Sequence, residues 1–337
     1  MFQGHGDDGY LHDQPITADF STNVFYGGTP PGLKEHLFAQ WDKVERYPEV
    51  LAESLSRKVA AHHQYSDDHV LVTNGSTESI YLIAQAFKKR STAIAVPAFA
   101  EYEDACRMHE HDLQFIAWNE IEQGKIPKTD LVFICNPNNP TGAVIKNLPN
   151  LIESNPNVLF VVDEAFIEFT FAISSVAGFV VVYPNLIVMR SMTKAYAVPG
   201  LRLGYVLAQP GLLSLIEAAK LPWTVNVMAL EAGHFIFDNF DQLQLPLRQL
   251  LEDKEKFIAR LKSLPLFIHP SHTHFFLAEL SDGKAGELKD HLLKNFNILI
   301  RNAGNFRGLN DKYIRIATLA PAKNELLINA LSAWLPI

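Results

Sequence analysis

Cysteine is scarce in this sequence: Cys106 and Cys135 are the two that occur in 337 residues. Two cysteines give no disulfide framework of the kind that holds small secreted domains together, so we expect a reducing compartment and predict a cytoplasmic location. No apolar run reaches about 18 residues, the length that a membrane-spanning helix needs. The first eight residues include two acids and no apolar stretch, which predicts that they are not a secretion signal.

An excess of positive charge is also absent. The chain has 29 basic and 37 acidic residues, a formal net charge of −8, and no basic tract. Because nucleic acids and anionic membranes bind surfaces with clustered lysine and arginine, we expect neither as a partner. What the chain does have is 48% hydrophobic residues, which suffices for a large core, and a length that suggests about two domains.

Short, continuous apolar runs are spaced by helical patterns, and this alternation predicts an α/β fold with a parallel sheet covered on both faces. The runs are 69–73, 93–96, 131–135, 158–162 and 186–189. Polar residues and glycines follow most of them. Since open α/β sheets bind ligands at the carboxyl ends of their strands, we expect these polar segments to meet in one site.

The domain organisation is predicted from changes in pattern along the chain. Residues 1–35 hold many turn formers and predict an arm laid over the rest of the molecule. We predict a large domain over 36–235 and a small α+β domain over 236–337. Strands of the small domain are predicted at 266–269, 274–280, 298–301 and 313–317.

Lys194 lies among small, hydroxyl-bearing and aromatic residues between two apolar runs. An apolar pocket lowers the pKa of a lysine, because desolvation disfavours its charged form, and a neutral amine can attack a carbonyl group. Ser191, Thr193 and Arg202 are placed to grip an anion beside it. A lysine next to an anion site is what pyridoxal phosphate requires. A loop lysine alone would be weak support, so matching segments elsewhere decide the interpretation.

Three such segments follow predicted strands. Asp163 ends an apolar run, where a buried carboxylate needs a positive partner such as a protonated pyridine nitrogen; the alternative is a helix cap. Asn139 stands in an Asn-Pro-Thr-Gly turn and can donate its amide to the ring oxygen; the alternative is a plain turn. Gly75, Ser76 and Thr77 begin a predicted helix whose N–H groups suit a phosphate. Ser76 or Thr77 is also expected to cap that helix.

The remaining candidates are less specific. Phe99 can stack on a cofactor ring, although an aromatic residue after a strand is often part of the core. Arg301 and Arg315 lie in predicted strands of the small domain, where either can clamp a carboxylate or phosphate; the alternative is a surface ion pair. No metal is expected. The i, i+2 spacing of His109 and His111 would put them on different faces of a helix, and no carboxylate or thiol companion stands out for His272 and His274 on a strand.

The ordered motifs together resemble fold-type I pyridoxal-phosphate enzymes, and within them the histidinol-phosphate aminotransferase subgroup. The motifs are Asn139-Pro140-Thr141-Gly142, Asp163-Glu164-Ala165, Ser191-x-Thr193-Lys194 with Arg202, and Arg315. The likeness covers nearly the whole chain. It implies a large domain with a mostly parallel seven-stranded sheet flanked by helices, a small α+β domain, and a homodimer in which the arm joins the small domain and the partner.

The resemblance also implies a role for each residue. Lys194 would bond the cofactor, Asp163 would pair with the ring nitrogen, and Asn139 would contact the ring oxygen. Phe99 would stack on the ring, and Phe166 stands where the aminotransferases commonly have a tyrosine. The residues implied for the cofactor phosphate are Gly75, Ser76, Thr77, Ser191, Thr193 and Arg202, with Tyr47 from the neighbouring subunit.

Further segments are similar to the decarboxylating branch of this subgroup, which acts on L-threonine O-3-phosphate in cobalamin biosynthesis. These segments are 5–6, 19–23, 45–48, 74–79, 99–102, 163–169, 222–226 and 298–315. The resemblance implies that His5 and Asn23 of the partner's arm, with Arg301, hold the substrate phosphate. Arg315 would hold the carboxylate.

Two departures concern the arm. Asp7 stands where that branch prefers glycine, and 24–26 read Val-Phe-Tyr where Asn-Pro is usual. The predicted reaction is decarboxylation to (R)-1-aminopropan-2-ol O-2-phosphate. Transamination of histidinol phosphate or a related amino acid is the first alternative, and a non-catalytic protein that binds the cofactor is the second.

Overall fold

The structure is a computed structural model of the chain and describes residues 8–12 and 14–335. The strands are β1 (Ala18–Asp19), β2 (Val70–Thr73), β3 (Ser91–Val96), β4 (Asp112–Ala117), β5 (Leu131–Cys135), β6 (Leu159–Asp163), β7 (Leu186–Ser191), β8 (Gly204–Ala208), β9 (Leu266–Ile268), β10 (Phe275–Leu280), β11 (Ile298–Leu299), β12 (Arg301–Asn302) and β13 (Tyr313–Ala317). The helices are α1 (Leu33–Ala39), α2 (Glu53–His63), α3 (Gly75–Ala86), α4 (Ala100–Met108), α5 (Trp118–Glu122), α6 (Leu148–Glu153), α7 (Pro210–Glu217), α8 (Val227–Asp238), α9 (Leu247–Leu261), α10 (Ala285–Phe296) and α11 (Pro321–Trp334). Within these described residues, none of the helices has both the length and the apolar character needed to cross a membrane.

The larger sheet of the described chain has seven strands in the order β2-β8-β7-β6-β5-β3-β4. Its neighbouring strands are parallel except where β8 pairs with β2 and with β7. All side chains of β5 and β8 are buried. Since alternate side chains of a strand point to opposite faces, both faces of the sheet are covered. The predicted α/β fold with a mostly parallel sheet is confirmed.

The carboxyl ends of six strands of this sheet lie at one edge. Because β8 is antiparallel to both its neighbours, β2 runs in the same direction as β3, β4, β5, β6 and β7. The register pairs Asp163 with Cys135 on one side and with Met189 on the other. The polar segments predicted to meet therefore do lie along a common edge.

A second sheet lies in the C-terminal part of the chain and is antiparallel, in the order β12-β13-β10-β9. It packs on a separate core that includes Phe257, Phe276, Leu288 and Ile314. Phe275, on the same strand as Phe276, instead belongs to the core of the larger sheet. Side chains from both predicted domains thus meet, and the predicted limits 1–35, 36–235 and 236–337 stay a prediction.

The segment 298–301, predicted as one strand, is two strands in two sheets. β11 pairs in parallel with β1, so that Ala18 lies opposite Ile298, whereas β12 pairs with β13. The N–H of Phe20 also donates to the carbonyl of Leu299 at 2.7 Å. The chain from residue 18 onward is therefore attached to the small sheet region of its own subunit.

Candidate active site

A cavity of about 330 Å³ lies at the carboxyl-end edge of the large sheet, against β13. Residues predicted from the sequence make up most of its lining: Asn23, Ser76, Thr77, Phe99, Asn139, Asp163, Phe166, Thr193, Lys194, Arg202 and Arg315. The other lining residues are Ser21, Thr22, Val24, Glu101, Tyr102, Cys135, Ala165 and Pro199. One chain thus brings the lysine, the strand-end carboxylate and the anion-binding groups into a single site.

The start of α3 is shaped to receive an anion. Gly75 has a φ of +75°, and a Cβ atom there would lie 2.6 Å from Nη2 of Arg202. The hydroxyl groups of Ser191 and Thr193 are hydrogen-bonded at 2.8 Å on the neighbouring loop. A helix N-terminus beside a guanidinium and hydroxyl groups offers N–H and O–H donors to a phosphate. Only glycine fits this approach without moving the arginine.

The cap of α3 differs from the prediction. Asn74 is the N-cap residue without a side-chain cap bond, so Ser76 and Thr77 lie inside the first turn rather than before it. The Glu78 carboxylate accepts the Asn74 N–H at 2.6 Å and pairs with Lys220 at 3.0 Å. Because Glu78 takes over the capping role, the prediction that Ser76 or Thr77 caps the helix is wrong, and these two residues line the cavity instead.

Asp163 lies at the floor of the cavity and is buried. Its Oδ1 accepts the N–H of Ala165 at 2.9 Å, and its Oδ2 accepts the hydroxyl of Tyr102 at 2.7 Å. Burial raises the pKa of Asp163, while the bonds from Tyr102 and Ala165 and the charge of Lys194 act in the opposite direction. An ionised carboxylate in this place needs a cationic partner.

Arg315 presents an unpaired donor. Its Nη1 donates to Oδ1 of Asn139 at 2.6 Å and its Nη2 to the carbonyl of Ser21. Within the described residues, its buried Nε has no hydrogen-bond partner. Burial, and then the neighbouring Arg301, lower the pKa of Arg315 to about 9. A buried cation with an N–H group that lacks an acceptor favours the binding of an anionic ligand.

Arg301 is the neighbour of Arg315 in the small sheet, where the two residues are directly paired between β12 and β13. Its Nη2 donates to Oδ1 of Asn305 at 2.7 Å, and its guanidinium lies 5.2 Å from the ring centre of Phe306. Burial lowers its pKa to about 10, with Asp8 acting in the opposite direction. Arg301 is not among the residues that line the cavity, so its predicted contact with the substrate stays a prediction.

Asn23 lines the cavity of its own chain, and the expectation that it serves the partner's site is wrong. The pairing of β1 with β11 holds the preceding residues on the same subunit, and the N–H of Phe25 donates to the carbonyl of Lys194 at 3.0 Å. Within the part of the chain that the structure describes, Oδ1 and Nδ2 of buried Asn23 have no partner. Both are therefore available to a polar ligand.

The predicted residues that are not among those lining this cavity are Gly75, Ser191, Arg301 and Tyr47. His5 lies outside the described residues. Tyr47 is 85% exposed, and its ring lies 5.4 Å from that of Trp223 on the outer surface. A role for Tyr47 in the site of a neighbouring subunit remains a prediction.

Several cavity residues were not predicted. Tyr102 comes three positions after Phe99, and that spacing along α4 was a signal that both face the same side. Glu101 also lines the cavity and accepts the hydroxyl of Tyr81 at 2.6 Å. His274 contacts the arm, since its Nε2 lies 3.1 Å from the carbonyl oxygen of Asn23. Nothing in the sequence pattern indicated the contact of His274, because it joins residues 251 positions apart.

The family model described as aminotransferase class I and II matches residues 15–333. The chain therefore belongs to this family of pyridoxal-phosphate enzymes, and the predicted resemblance to it is confirmed. Among its relatives is the threonine-phosphate decarboxylase of Salmonella typhimurium, 33% identical, with 93% of this chain and 90% of the relative covered. The crystal structure of L-threonine-O-3-phosphate decarboxylase from Porphyromonas gingivalis has a TM-score of 0.91 and 39% identity, with 94% of this chain and 99% of that chain covered. A histidinol-phosphate aminotransferase of Caldanaerobacter subterraneus is 30% identical, with 86% of this chain and 84% of the relative covered.

The residues of the cavity fit pyridoxal phosphate. A Cβ atom at residue 75 would lie 2.6 Å from Nη2 of Arg202, so glycine lets this guanidinium approach the start of α3, where a phosphate would bind. Lys194 supplies an amine, and Asp163 supplies a carboxylate whose burial favours a cationic partner. The bond from Arg315 fixes Oδ1 of Asn139 as an acceptor, so the other end of that amide is the donor.

Proposed function

We propose that the protein decarboxylates L-threonine O-3-phosphate to (R)-1-aminopropan-2-ol O-2-phosphate and CO2, with pyridoxal phosphate as its cofactor, in cobalamin biosynthesis. The observation that carries this proposal is the pair of neighbouring buried arginines, Arg301 and Arg315, next to the cavity that holds Lys194. A substrate with a carboxylate and a phosphate needs two cationic sites in addition to the one for the cofactor phosphate. The similarity to threonine-phosphate decarboxylases supports the same assignment.

Two of the proposed substrate contacts use the buried polar groups of Arg315 and Asn23 that have no partner within the described residues. The buried Nε of Arg315 is placed to donate to the substrate carboxylate. Arg301 and the amide of Asn23 bind the substrate phosphate in this proposal, with His5 as a further ligand. Crowding of the two guanidinium groups is unfavourable without an anion between them, and a doubly anionic substrate relieves it.

The cofactor contacts use the remaining lining residues. Lys194 bonds the cofactor, Asp163 pairs with its ring nitrogen, and Asn139 donates to its ring oxygen. Phe99 stacks on the ring, and Phe166 lies beside it without a hydroxyl group to donate. The groups proposed for the cofactor phosphate are Gly75, Ser76, Thr77, Ser191, Thr193 and Arg202. When bound, the cofactor supplies an electron-withdrawing ring that stabilises negative charge at the substrate Cα.

The protein residues decide which bond at Cα is broken. Arg315 and the phosphate ligands hold both ends of the substrate, and this fixes the rotation of its carboxylate relative to the site. The bond from Cα to the carboxylate carbon breaks and CO2 leaves. The Nζ of Lys194 then gives a proton to Cα, and that proton takes the place of the lost carboxylate. Asp163 keeps a negative charge next to the electron-withdrawing ring throughout.

A second candidate is transamination of histidinol phosphate, which the 30% identity to a histidinol-phosphate aminotransferase favours. Histidinol phosphate has no carboxylate, so it would leave one of the two arginines without an anion. The two functions therefore predict different uses of Arg301 and Arg315.

We further infer that the protein is a cytoplasmic homodimer. Phe38, Trp41, Tyr47 and Trp223 are aromatic side chains that are 63%, 57%, 85% and 48% exposed, and an exposed aromatic surface of this kind is suited to a protein partner. In this arrangement Tyr47 reaches the cofactor phosphate of the other subunit. The low cysteine content supports the location.

The arginine pair gives the test of the proposed function. Arg301→Ala should lower kcat/KM for threonine phosphate by about ten- to a hundredfold, since charge-assisted hydrogen bonds contribute about 1.5–3 kcal/mol each. Its effect on unphosphorylated threonine should be much smaller, whereas Arg315→Ala should impair both substrates. Arg260, which forms a surface pair with Glu325 at 2.8 Å, is the matched control, and Arg260→Ala should change neither rate. Equal losses on both substrates in Arg301→Ala would refute the assignment of Arg301 to the phosphate.

A further inference from the structure

Tyr102 is a buried tyrosine directly beneath the cavity floor. It is 1% exposed, and its hydroxyl donates to Oδ2 of Asp163 at 2.7 Å. Its ring is stacked on Phe133, with centroids 5.3 Å apart and planes at 19°, and meets Phe99 edge-on at 6.1 Å. Packing on both sides holds the phenol in one orientation. Tyr102 therefore contacts Asp163 and Phe99, the two residues proposed to hold the cofactor ring.

The two bonds to Asp163 favour its ionised form. The N–H of Ala165 can only donate, and it does so to Oδ1. The hydroxyl of Tyr102 donates to the other oxygen. A carboxylate that accepts on both oxygens is stabilised relative to the neutral acid, which would have to turn one oxygen into a donor.

Burial acts against this ionised form and raises the pKa of Asp163, and the bond from Tyr102 is the largest influence that lowers it. Ala165 and Lys194 follow in that order. Cys135, paired with Asp163 on the adjacent strand, is the other titratable group that interacts with the carboxylate. Among the groups that oppose the desolvation of Asp163, the hydroxyl of Tyr102 thus has the largest effect.

We propose that Tyr102 is a positioning residue whose hydroxyl keeps the Asp163 carboxylate ionised and directed at the cavity, so that the proton between Asp163 and the cofactor's ring nitrogen stays on the nitrogen. This inference rests on the proposed role of Asp163 as the partner of that nitrogen. Without the hydroxyl, Asp163 competes for the proton, and the ring becomes a weaker acceptor of electrons. Tyr102 acts through Asp163 and contacts neither substrate nor ring nitrogen in this proposal.

A double-mutant cycle, measured on the full chain without cofactor, tests whether the hydroxyl of Tyr102 acts through Asp163. The proteins are the unchanged chain, Tyr102→Phe, Asp163→Asn and the double variant, each unfolded in urea across a series of pH values. Because the pKa of Asp163 is higher in the native than in the unfolded chain, its contribution to stability is complete at low pH and is lost as the pH rises through the native pKa. Tyr102→Phe should raise the pH at which this contribution is fully lost by about one to two units. A shift of that size corresponds to the free energy of one hydrogen bond to a charged group.

The second readout is the affinity for pyridoxal phosphate, titrated by its absorbance. Tyr102→Phe should weaken binding by about tenfold, which corresponds to about 1.4 kcal/mol. In the Asp163→Asn background, Tyr102→Phe should change neither the pH dependence nor the affinity. The matched control is Tyr313→Phe, which removes a tyrosine hydroxyl bonded to the Glu279 carboxylate at 3.1 Å. It should alter neither the pH dependence of stability nor the affinity for pyridoxal phosphate.

Every outcome of this cycle either supports or overturns the inference about Tyr102. If Tyr102→Phe has the same effect with and without Asp163→Asn, or has no effect, the hydroxyl does not act through Asp163 and the inference is overturned. If Tyr102→Phe alone does not fold, the double variant decides: a folded double variant supports the coupling and an unfolded one contradicts it. The cycle needs no substrate, so a protein that shows the coupling but releases no CO2 from threonine phosphate would refute the proposed reaction alone.

Discussion

Lys194 is the residue on which the proposed chemistry depends most directly. Reduction with borohydride in the presence of pyridoxal phosphate should attach the cofactor permanently to this residue, as peptide mass spectrometry would show. Lys194→Ala should abolish the attachment and lower the rate of CO2 release by about three orders of magnitude or more, because both the bond to the cofactor and the proton donor are lost. Lys262→Ala, at an exposed lysine, should leave both unchanged. Permanent attachment in the same cavity of Lys194→Ala would show that another amine carries the cofactor.

The residues that could be predicted from the sequence are those whose position follows from the strands. Asp163, Asn139 and Lys194 come after apolar runs, and parallel strands bring their carboxyl ends to one edge. The placement of Asn23 could not be predicted in this way. It depends on the short pairing of β1 with β11, whose residues are 280 positions apart in the sequence. No periodicity signals a two-residue strand.

At the scale of elements, the turn after β5 is held against the small sheet region by a glycine. Gly142 has a φ of +71°, and a Cβ atom there would overlap the side chain of Ser271. Its carbonyl also accepts the N–H of His272 at 2.8 Å. The Asn-Pro-Thr-Gly turn thus serves both to present Asn139 and to dock the two parts of the molecule.

Gly142→Ala should therefore lower the free energy of unfolding by about 2 kcal/mol or more, from the left-handed backbone and the overlap together. It should also raise KM, because Asn139 and its bond to Arg315 shift with the turn. Gly211→Ala is the matched control: a Cβ atom there meets nothing within 4 Å, and the site is in the first turn of α7. The free energies of unfolding of the two variants, measured in urea, are compared. Equal stability of the two would mean that the turn tolerates a side chain.

Five strands of the large sheet, β2, β3, β5, β6 and β7, follow from continuous apolar runs in the sequence. The edge strand β4 was not predicted, because one of its six side chains is buried and no such run marks it. The division of 298–301 into β11 and β12 was not predicted either, because Ile300 is buried like its neighbours and the pattern stays continuous. What divides the segment is its pairing with two different strands, a property of the assembled fold.

At the scale of the whole molecule, the proposed dimer places an exposed aromatic surface in an interface. Sedimentation velocity should show a dimer at assay concentration. Trp41→Asp should weaken the dimer and make activity fall on dilution, since a charge would be buried where an aromatic ring packs. Phe267→Asp, at a 59% exposed aromatic residue on β9, controls for the added charge and should leave the dimer intact. A fully active monomer would contradict the proposed role of Tyr47.

The most direct test of the central claim is to follow the carboxylate of the substrate. The purified protein with pyridoxal phosphate is supplied with L-threonine O-3-phosphate labelled in its carboxyl carbon, and in parallel with histidinol phosphate and 2-oxoglutarate. We predict labelled CO2 and aminopropanol phosphate in equal amounts from the first substrate, and no glutamate from the second. Efficient formation of glutamate from histidinol phosphate, with no CO2 from threonine phosphate, would contradict the account.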